Sequence, residues 1–380
     1  MGQPSRFADR SVIMEQYPAG EEQEELLDLN EVMQAFGVSE WSKLETIVET
    51  AATERWSALL DIQGQRYILR EQPEGLVSED SNHRIAFRHF LQQAGIPLPA
   101  LWLTPQGEPM VVIGDTSFEL EQEAMGDFFN TSASRSLEWV AAAGAMLAYI
   151  HQASRTYAGP QHRWPSEAHI GGVVQGYLNM ARVKAEQSEI AAVAAALENW
   201  CDQWEAVLPS AMVSIGSVRG LPEFHIHGDY HAMNLRFGTQ GVTAVLNLAA
   251  SRWEKRIIEL AYALFYFSAL EWHPESPLTR PLVKRGLDPE RAHRFLAAYA
   301  AVYPPVPHES SIVGDALMLV SPIVTINGPL EDVFFTRYDA HNDQGVREQL
   351  IDDVMERLAW ATSLPAWLSR VRRSLAEMWG

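Results

Sequence analysis

The chain has little cysteine, few basic residues and no long apolar run, and each shortage excludes a class of protein. Cys201 is the only cysteine in 380 residues, so neither an intrachain disulfide nor a thiolate metal cluster can form. Lysine and arginine number 29 against 49 acidic residues, which argues against a nucleic-acid partner because phosphate binding requires a concentrated basic surface. No apolar run reaches the roughly 20 residues that span a bilayer, and residues 1–20 lack an apolar signal segment. We therefore expect a cytoplasmic protein that binds neither nucleic acid nor membrane.

The apolar patterning divides the chain into a strand-rich part and a helical part. A length of 380 residues exceeds one ordinary hydrophobic core and predicts two lobes. Residues 55–62 and 65–71 alternate around Gln63-Gly64, which predicts a β-hairpin. Further extended runs are predicted at 101–104, 110–113 and 117–121, and short helices at 29–36 and 81–94. From Ser134 onward the spacing predicts long helices, at 141–151, 167–186, 188–207, 255–270 and 289–302.

The most informative stretch is His227-Gly228-Asp229-Tyr230-His231-Ala232-Met233-Asn234, which follows an apolar-leaning run at 221–226. It places an acid, Asp229, shortly before an amide, Asn234. A carboxylate that can accept a hydroxyl proton, followed by a metal-binding asparagine, is the catalytic-loop arrangement of kinase-type phosphoryl transfer. The motif therefore predicts a phosphotransferase site in this loop.

The pattern HGDxHxxN resembles the family of aminoglycoside phosphotransferases, choline kinases and type II homoserine kinases. The order of elements resembles this family over roughly residues 30–365, and the specific motif covers 225–262. The resemblance implies an α+β, bilobal, protein-kinase-like fold. Residues 1–28 would be a polar lead-in, 29–124 a small β-rich N-lobe, and 125–380 a helical C-lobe with its catalytic loop at 225–247. It implies ATP-dependent transfer of phosphate to a hydroxyl of a small molecule such as an aminoglycoside, choline or homoserine.

The resemblance also implies a role for each polar residue of the loop. Asp229 would be the catalytic base, and Asn234 a ligand of Mg²⁺. Asn247 stands where the family has a second metal-binding aspartate, and a neutral carboxamide there weakens the metal site. Glu259 replaces the aspartate that opens the family's Asp-Leu-Ala helix and would brace the loop. His227 and His231 would support the loop by hydrogen bonds.

The nucleotide side departs further from the family. Arg70 stands in place of the ATP-binding lysine, and its planar fork does not reproduce a compact ammonium. The acid that should pair with it on the next helix falls at positions occupied by His83 and Arg84. Glu121 and Glu123, at the expected hinge, are the further implied nucleotide contacts.

The phosphate-covering loop should lie between residues 46 and 56, a segment that contains no glycine. Its backbone N–H groups therefore cannot approach phosphates as a glycine-rich loop allows. Together with Arg70 and Asn247, this departure leaves a second interpretation open. The chain would then be a catalytically impaired pseudokinase that keeps the fold to bind a ligand or partner.

A remote alternative rests on the histidines. The pattern HxHxDxH, formed by His225, His227, Asp229 and His231, also predicts a metal-dependent hydrolase with a zinc ion. The motif of such enzymes places the next histidine directly after the aspartate, where this chain has Tyr230.

The acceptor is not identified by any motif. The acidic composition, with 49 acidic against 29 basic residues, is compatible with a cationic acceptor. The candidate pocket residues in the helical part share aromatic or acidic character: Trp164, Tyr177, Trp272, His273 and Asp332.

Overall fold

A computed structural model describes residues 29–48, 56–72, 79–159, 161, 170–271, 282–283, 287–326, 338 and 342–379. The expected lead-in at 1–28 lies outside these residues, as does most of the expected phosphate-covering loop, 49–55. So do four of the candidate pocket residues, Trp164, Trp272, His273 and Asp332.

The N-terminal part is an antiparallel five-stranded sheet with two helices. The strands are β1 (Ser42–Val48), β2 (Trp56–Ile62), β3 (Gln65–Gln72), β4 (Val111–Ile113) and β5 (Thr116–Gln122), in the order β1-β2-β3-β5-β4. The helices are α1 (Leu29–Ala35) and α2 (Glu79–Gln93). Gln63 and Gly64 both have positive φ, which is the backbone of the tightest β-hairpin turn, and the predicted hairpin is confirmed.

The two faces of this sheet have opposite character. Because side chains alternate along a strand, Leu69 of β3 and Phe118 and Leu120 of β5 lie on one face, where they pack with α1 in a small apolar core. Residues one position away point to the other face. These are polar and largely buried, and they include Arg70, Gln72, Glu119 and Glu121. Buried charge on this face requires partners, and α2 supplies them.

The remaining chain is mainly helical. Its helices are α3 (Ser136–Ser154), α4 (Ile170–Gln187), α5 (Ala191–Ser217), α6 (Arg256–Ala269), α7 (Pro289–Val302), α8 (Val313–Ile326) and α9 (Gln344–Trp379). Between α5 and α6 lie four short strands, β6 (Glu223–Ile226), β7 (Leu235–Gly238), β8 (Gly241–Val245) and β9 (Arg252–Lys255), paired β6 with β9 and β7 with β8. A two-residue pair, β10 (Leu270–Glu271) with β11 (Leu282–Val283), follows α6.

One large apolar core unites the helical part. Helix α6 is its centre, with twelve of its fourteen residues buried. Phe87 and Leu91 of α2 belong to this core as well, so α2 joins the sheet to the helices. No helix in the described part of the chain is both long enough and apolar enough to cross a membrane.

Most predicted elements are confirmed, and the differences have simple causes. The helix predicted at 289–302 is found with these bounds because Asp288 caps it at the backbone N–H groups of Glu290 and Arg291. The run predicted at 101–104 forms only an isolated bridge, from Leu101 to Glu121. Strand β1 was not predicted, because it is an exposed edge strand in which even Leu44 faces solvent.

Candidate active site

The loop between β6 and β7 depends on a glycine at its start. Gly228 has a φ of 88°, a conformation that side chains disfavour. A Cβ atom at this position would lie 1.9 Å from the backbone oxygen of Ala250. Arg252 of β9 donates a 3.1 Å hydrogen bond to the Gly228 carbonyl. The chain after β8 therefore packs directly on the loop and leaves no room for a side chain.

Asp229 is the centre of the site and is held at both carboxylate oxygens. At Oδ2 it accepts from Nδ2 of Asn234 at 2.9 Å and from Nδ2 of Asn247 at 3.3 Å, with Nε2 of His231 also at 3.3 Å. At Oδ1 it accepts from the Tyr262 hydroxyl at 2.8 Å. The fold thus brings together three residues that the sequence assigns to catalysis and metal binding.

The environment of Asp229 favours its ionised form. Burial alone would raise the pKa of the carboxyl, but the hydrogen bonds that it accepts from His231 and from the Tyr262 hydroxyl outweigh burial. Together they hold the pKa of Asp229 well below its usual range. About a quarter of the side chain, 26%, stays exposed, so a small molecule can reach the ionised carboxylate.

The two loop histidines are fixed in defined tautomers. His227 accepts at Nδ1 from the backbone N–H of Asp229, at 3.2 Å, and donates from Nε2 to the Leu246 carbonyl, at 2.8 Å. Burial lowers its pKa, so the ring is neutral. His231 accepts at Nδ1 from the N–H of Met233, which leaves the Nε2 proton directed to Asp229.

Glu259 connects the loop to the helical core. Its carboxylate accepts from the backbone N–H groups of His227, at 3.1 Å, and Gly228. It also accepts from Nε2 of His151 at 2.8 Å, and the Tyr299 hydroxyl holds the other nitrogen of that ring. Burial opposes ionisation of Glu259, but the His151 hydrogen bond and the loop N–H groups outweigh it and lower the pKa. A buried carboxylate thus anchors the start of the β6–β7 loop.

Asn247 follows β8 in the left-handed region, with a φ of 59°. Asparagine and aspartate tolerate this conformation better than other side chains. The backbone position therefore suits the aspartate of the family as well as the asparagine of this chain. The substitution changes the charge of the site without requiring a different backbone.

The donor set fits a magnesium ion. Asn234 and Asn247 both direct their amide nitrogens to Asp229, so each carboxamide oxygen remains the atom that can bind a metal. Mg²⁺ accepts oxygen ligands in octahedral geometry and takes several of them from phosphate and water. The chain would supply two neutral oxygens and one carboxylate.

The structure does not assemble the histidines into a zinc site. His225 packs against the rings of Phe87, Tyr157 and Trp253, whereas both nitrogens of His227 are hydrogen-bonded to the backbone. Within the described residues, no group of three or more His, Cys, Asp or Glu side chains is arranged to hold a metal ion.

On the nucleotide side, a network of ion pairs joins strands β3 and β5 to helix α2. Nε of Arg70 lies 3.3 Å from Glu121 on the neighbouring strand, and Arg88 of α2 lies 3.1 Å from the same carboxylate. Arg84 of α2 pairs with Glu119. The helix therefore presents cations where the family presents an acid, and strand β5 supplies the acids.

Glu123, the other expected nucleotide contact, lies apart from this network. Its carboxylate is 3.3 Å from Arg66 at the start of β3, and both side chains are partly exposed. The structure therefore separates Glu123 from Arg70 and Glu121, which pair with each other.

Three contacts of the site were not predicted. Tyr262 comes from the middle of α6, Arg252 from β9, and His151 from the end of α3. Each reaches the loop only through the packing of its element, and local sequence pattern carries no signal for such an approach. The position of Tyr262 one turn after Glu259 is one hint, since residues three apart share a helix face. The resemblance of residues 141–151 to the first large-lobe helix of the family, which ends in a recurring histidine, marks His151 as a second.

The fold and the geometry around Asp229 define a kinase-like phosphotransferase. The model of the Phosphotransferase enzyme family matches residues 51–307, more than half of the chain, and the chain belongs to this family. The predicted family resemblance is thereby confirmed. No protein with a curated description matches the chain in sequence.

Solved structures support the same fold at low sequence identity. An aminoglycoside phosphotransferase from Alicyclobacillus acidocaldarius has a TM-score of 0.59 at 16% identity, over 92% of this chain and 96% of its own. A microcompartment-associated aminopropanol kinase has a TM-score of 0.59 at 13% identity, over 92% and 98%. A spectinomycin phosphotransferase in complex with ADP and spectinomycin has a TM-score of 0.55 at 11% identity, over 87% and 95%. The predicted bilobal, protein-kinase-like α+β fold is confirmed.

Proposed function

We propose that the protein transfers the γ-phosphoryl group of ATP to a hydroxyl group of a small molecule. The observation that carries this proposal is the convergence of Asn234 and Asn247 on one oxygen of Asp229, at 2.9 and 3.3 Å. A carboxylate flanked by two carboxamides is suited to hold an acceptor hydroxyl beside a metal-bound phosphate.

Asp229 accepts a hydrogen bond from the acceptor hydroxyl and directs its oxygen toward the γ-phosphorus. A bond forms between that oxygen and phosphorus, the bond to the β,γ-bridging oxygen breaks, and ADP leaves with the bonding electrons. The hydroxyl proton passes to Asp229 and then to solvent. Because the pKa of Asp229 is depressed, the carboxylate is a weak base, and we assign it mainly to orientation and late proton uptake.

Asn234 and Asn247 would hold Mg²⁺, which would offset the negative charge of the nucleotide phosphates. Arg70 would contact the phosphates. It lies in a cluster with Arg84, Arg88, Glu119 and Glu121. The spectinomycin phosphotransferase of the same fold contains ADP, which supports ATP as the donor.

A pseudokinase is the second candidate, and one observation favours it. Arg70 is already paired with Glu121, so phosphate must compete with a buried carboxylate for the guanidinium. In that case the protein would bind a ligand or partner without turnover.

A pair of measurements separates the two candidates. Saturating Mg-ATP should raise the melting temperature, because a ligand that binds only the folded state stabilises it. ADP release should then rise when hydroxylated small molecules are added, and Asp229→Asn should abolish this rise while the ATP-induced shift remains. Absence of a shift at saturating Mg-ATP would exclude a nucleotide site. A shift without ADP release from any hydroxyl compound would support the pseudokinase.

A further inference from the structure

Arg357 on α9 is a half-buried cation without a carboxylate partner. Among the described residues, no acidic oxygen lies within 4.0 Å of its guanidinium, and its shielded Nε has no hydrogen-bond partner. Burial lowers the pKa of Arg357 to about 10. The group is still charged at neutral pH, and a desolvated charge without an opposite charge is unfavourable in a folded protein.

The arginines that are fully buried in the described part of the chain have acidic partners. Each of them faces an acid of the same chain at ion-pair distance. The pairs are Arg84 with Glu119, Arg88 with Glu121, Arg256 with Glu309, and Arg291 with Asp288. The missing acid therefore distinguishes Arg357 from these four buried arginines. Arg252, which is half-buried like Arg357, has backbone carbonyls as its partners.

The position of Arg357 connects it to the site. Trp360, one turn further along α9, packs against Phe265 of α6 at a ring distance of 6.0 Å, so Arg357 lies on the same side of its helix. Burial raises the pKa of Tyr266 on α6 to about 12, and the nearby charge of Arg357 partly opposes this shift. The Tyr266 hydroxyl is 3.5 Å from that of Tyr262, which donates to Asp229. Two phenols thus lie between the unpaired cation and the catalytic carboxylate.

These phenols are partly buried and lie at the edge of the large apolar core. Tyr262 and Tyr266 are the two residues of α6 that are not buried, and their spacing places them on one face of the helix. The His231 ring lies against Tyr266 at a centroid distance of 5.0 Å. We call the surface formed by His231, Tyr262, Tyr266 and Arg357 the acceptor pocket.

We infer that the phosphoryl acceptor is a small hydroxylated acid whose carboxylate binds Arg357 while its hydroxyl lies against Asp229. This inference rests on the proposed function. A carboxylate matches the guanidinium fork with two charge-assisted hydrogen bonds and supplies the missing counter-charge. Asp229 repels an acidic group at the opposite end of the pocket, so the two charges fix the direction in which the acceptor binds.

The inference differs from the cationic acceptor that the overall acidity suggests. Net charge reflects the whole surface, whereas recognition depends on the groups that line the pocket. In the described part of the pocket, the charge farthest from the reacting hydroxyl is positive.

The test uses three compounds of equal length: a short hydroxy acid, its primary amide and the corresponding amino alcohol. Binding is measured by calorimetry without nucleotide, and turnover by ADP release with Mg-ATP. We expect the wild type to prefer the acid. Arg357→Gln should raise the Kd and KM for the acid by roughly 10- to 100-fold, which corresponds to loss of a hydrogen-bonded charge partner, and should leave those for the amide unchanged.

The control is Arg373→Gln, which removes a cation from the same helix at a side chain that is 92% exposed. It should leave the Kd and KM of all three compounds unchanged. Arg357→Met is a second variant that keeps the apolar volume and should match Arg357→Gln. Both should fold, because each removes an uncompensated charge, and circular dichroism checks this. Arg357→Glu should reverse the preference toward the amino alcohol.

The outcomes also separate this inference from the proposed function. Binding of the acid that depends on Arg357, without ADP release, would uphold the acceptor pocket and reject the transferase. ADP release with the amide or amino alcohol as readily as with the acid would uphold the transferase and overturn the inference. An unchanged Kd for the acid in Arg357→Gln would overturn it as well.

Discussion

The Tyr262 hydroxyl donates a 2.8 Å hydrogen bond to Oδ1 of Asp229, while Asn234 and Asn247 occupy Oδ2. A residue from the middle of α6 thus fixes the orientation of a carboxylate in the β6–β7 loop. Glu259, one turn earlier on α6, holds the backbone of the same loop. Helix α6 therefore positions both the Asp229 carboxylate and the main chain that carries it.

Tyr262→Phe tests the first of these roles. The Tyr262 hydrogen bond favours the ionised form of Asp229, so its loss raises the pKa of that carboxyl. The acid limb of kcat/KM, which reports the free enzyme's essential base, should move to higher pH. A hydrogen bond to a charged group contributes roughly 1.5–3 kcal/mol, and kcat/KM should fall accordingly. Tyr149→Phe, on an exposed residue of α3, is the control. An acid limb at unchanged pH would contradict the role of Tyr262.

Asn247→Asp should make the site more dependent on metal. The Asn247 amide now donates to Asp229 at 3.3 Å, so the variant places a second carboxylate against the first. Without Mg²⁺ the like charges should lower the melting temperature, and with Mg-ATP the added ligand charge should raise it more than in the wild type. Asn179→Asp, on the exposed face of α4, adds the same charge elsewhere. A lower melting temperature without a larger rise from Mg-ATP would mean that no metal binds between these residues.

Gly228→Ala should destabilise the β6–β7 loop by more than backbone strain alone would. A positive φ costs an alanine about 1 kcal/mol or somewhat more, and here the new Cβ would also meet the Ala250 oxygen at 1.9 Å. Gly95→Ala is a matched control, since Gly95 has a φ of 83° but nothing within 4 Å of the added atom. Thermal unfolding should show the larger loss for Gly228→Ala, together with loss of ATP-dependent turnover. Equal losses in the two variants would contradict the close packing of the loop.

The buried histidines predict how stability depends on pH. Burial lowers the pKa of His151 and His227 in the folded chain, whereas the pKa of histidine in an unfolded chain is about 6.5. Below that pH the unfolded chain binds protons that the folded chain does not, so the free energy of unfolding should fall as the solution is acidified. His151→Gln should make the melting temperature less dependent on pH between about 7 and about 5. His293→Gln, on an exposed residue of α7, should keep the wild-type slope. An unaltered slope in His151→Gln would show that His151 is not neutral in the fold.

The part of the site that comes from one stretch of the sequence was predictable, because residues that are close in sequence are there also close in the structure. Asp229 and Asn234 share one loop, and the β7–β8 hairpin returns the chain so that Asn247 meets them. Their chemical roles remain predictions. Tyr262 and Arg357 lie on helices whose approach to the loop depends on packing across the whole helical core, which periodicity does not specify.

On the nucleotide side, too, the sequence predicts some features of the site and not others. The sequence places Arg70 on a strand and shows that no acid follows at positions 83 and 84. It does not show that Glu121, about fifty residues later, lies on the strand paired with β3 and supplies the acid instead. The pairing of β3 with β5 is a non-local choice of sheet order, and it determines the partner of Arg70.

Direct detection of the phosphorylated product tests the central claim, that the Asp229 site transfers a phosphoryl group from ATP to a hydroxyl. The measurement is phosphorus NMR of Mg-ATP with a short hydroxy acid, for the wild type and Asp229→Asn. The account predicts a phosphate ester signal from the wild type. The ester should form at least about 100-fold more slowly in the variant, because the carboxylate that orients the hydroxyl and takes up its proton is lost, and both proteins should keep the ATP-induced rise in melting temperature. An ester formed equally fast by Asp229→Asn would contradict the account. So would a wild type that binds Mg-ATP and forms no ester with hydroxy acids, amides or amino alcohols.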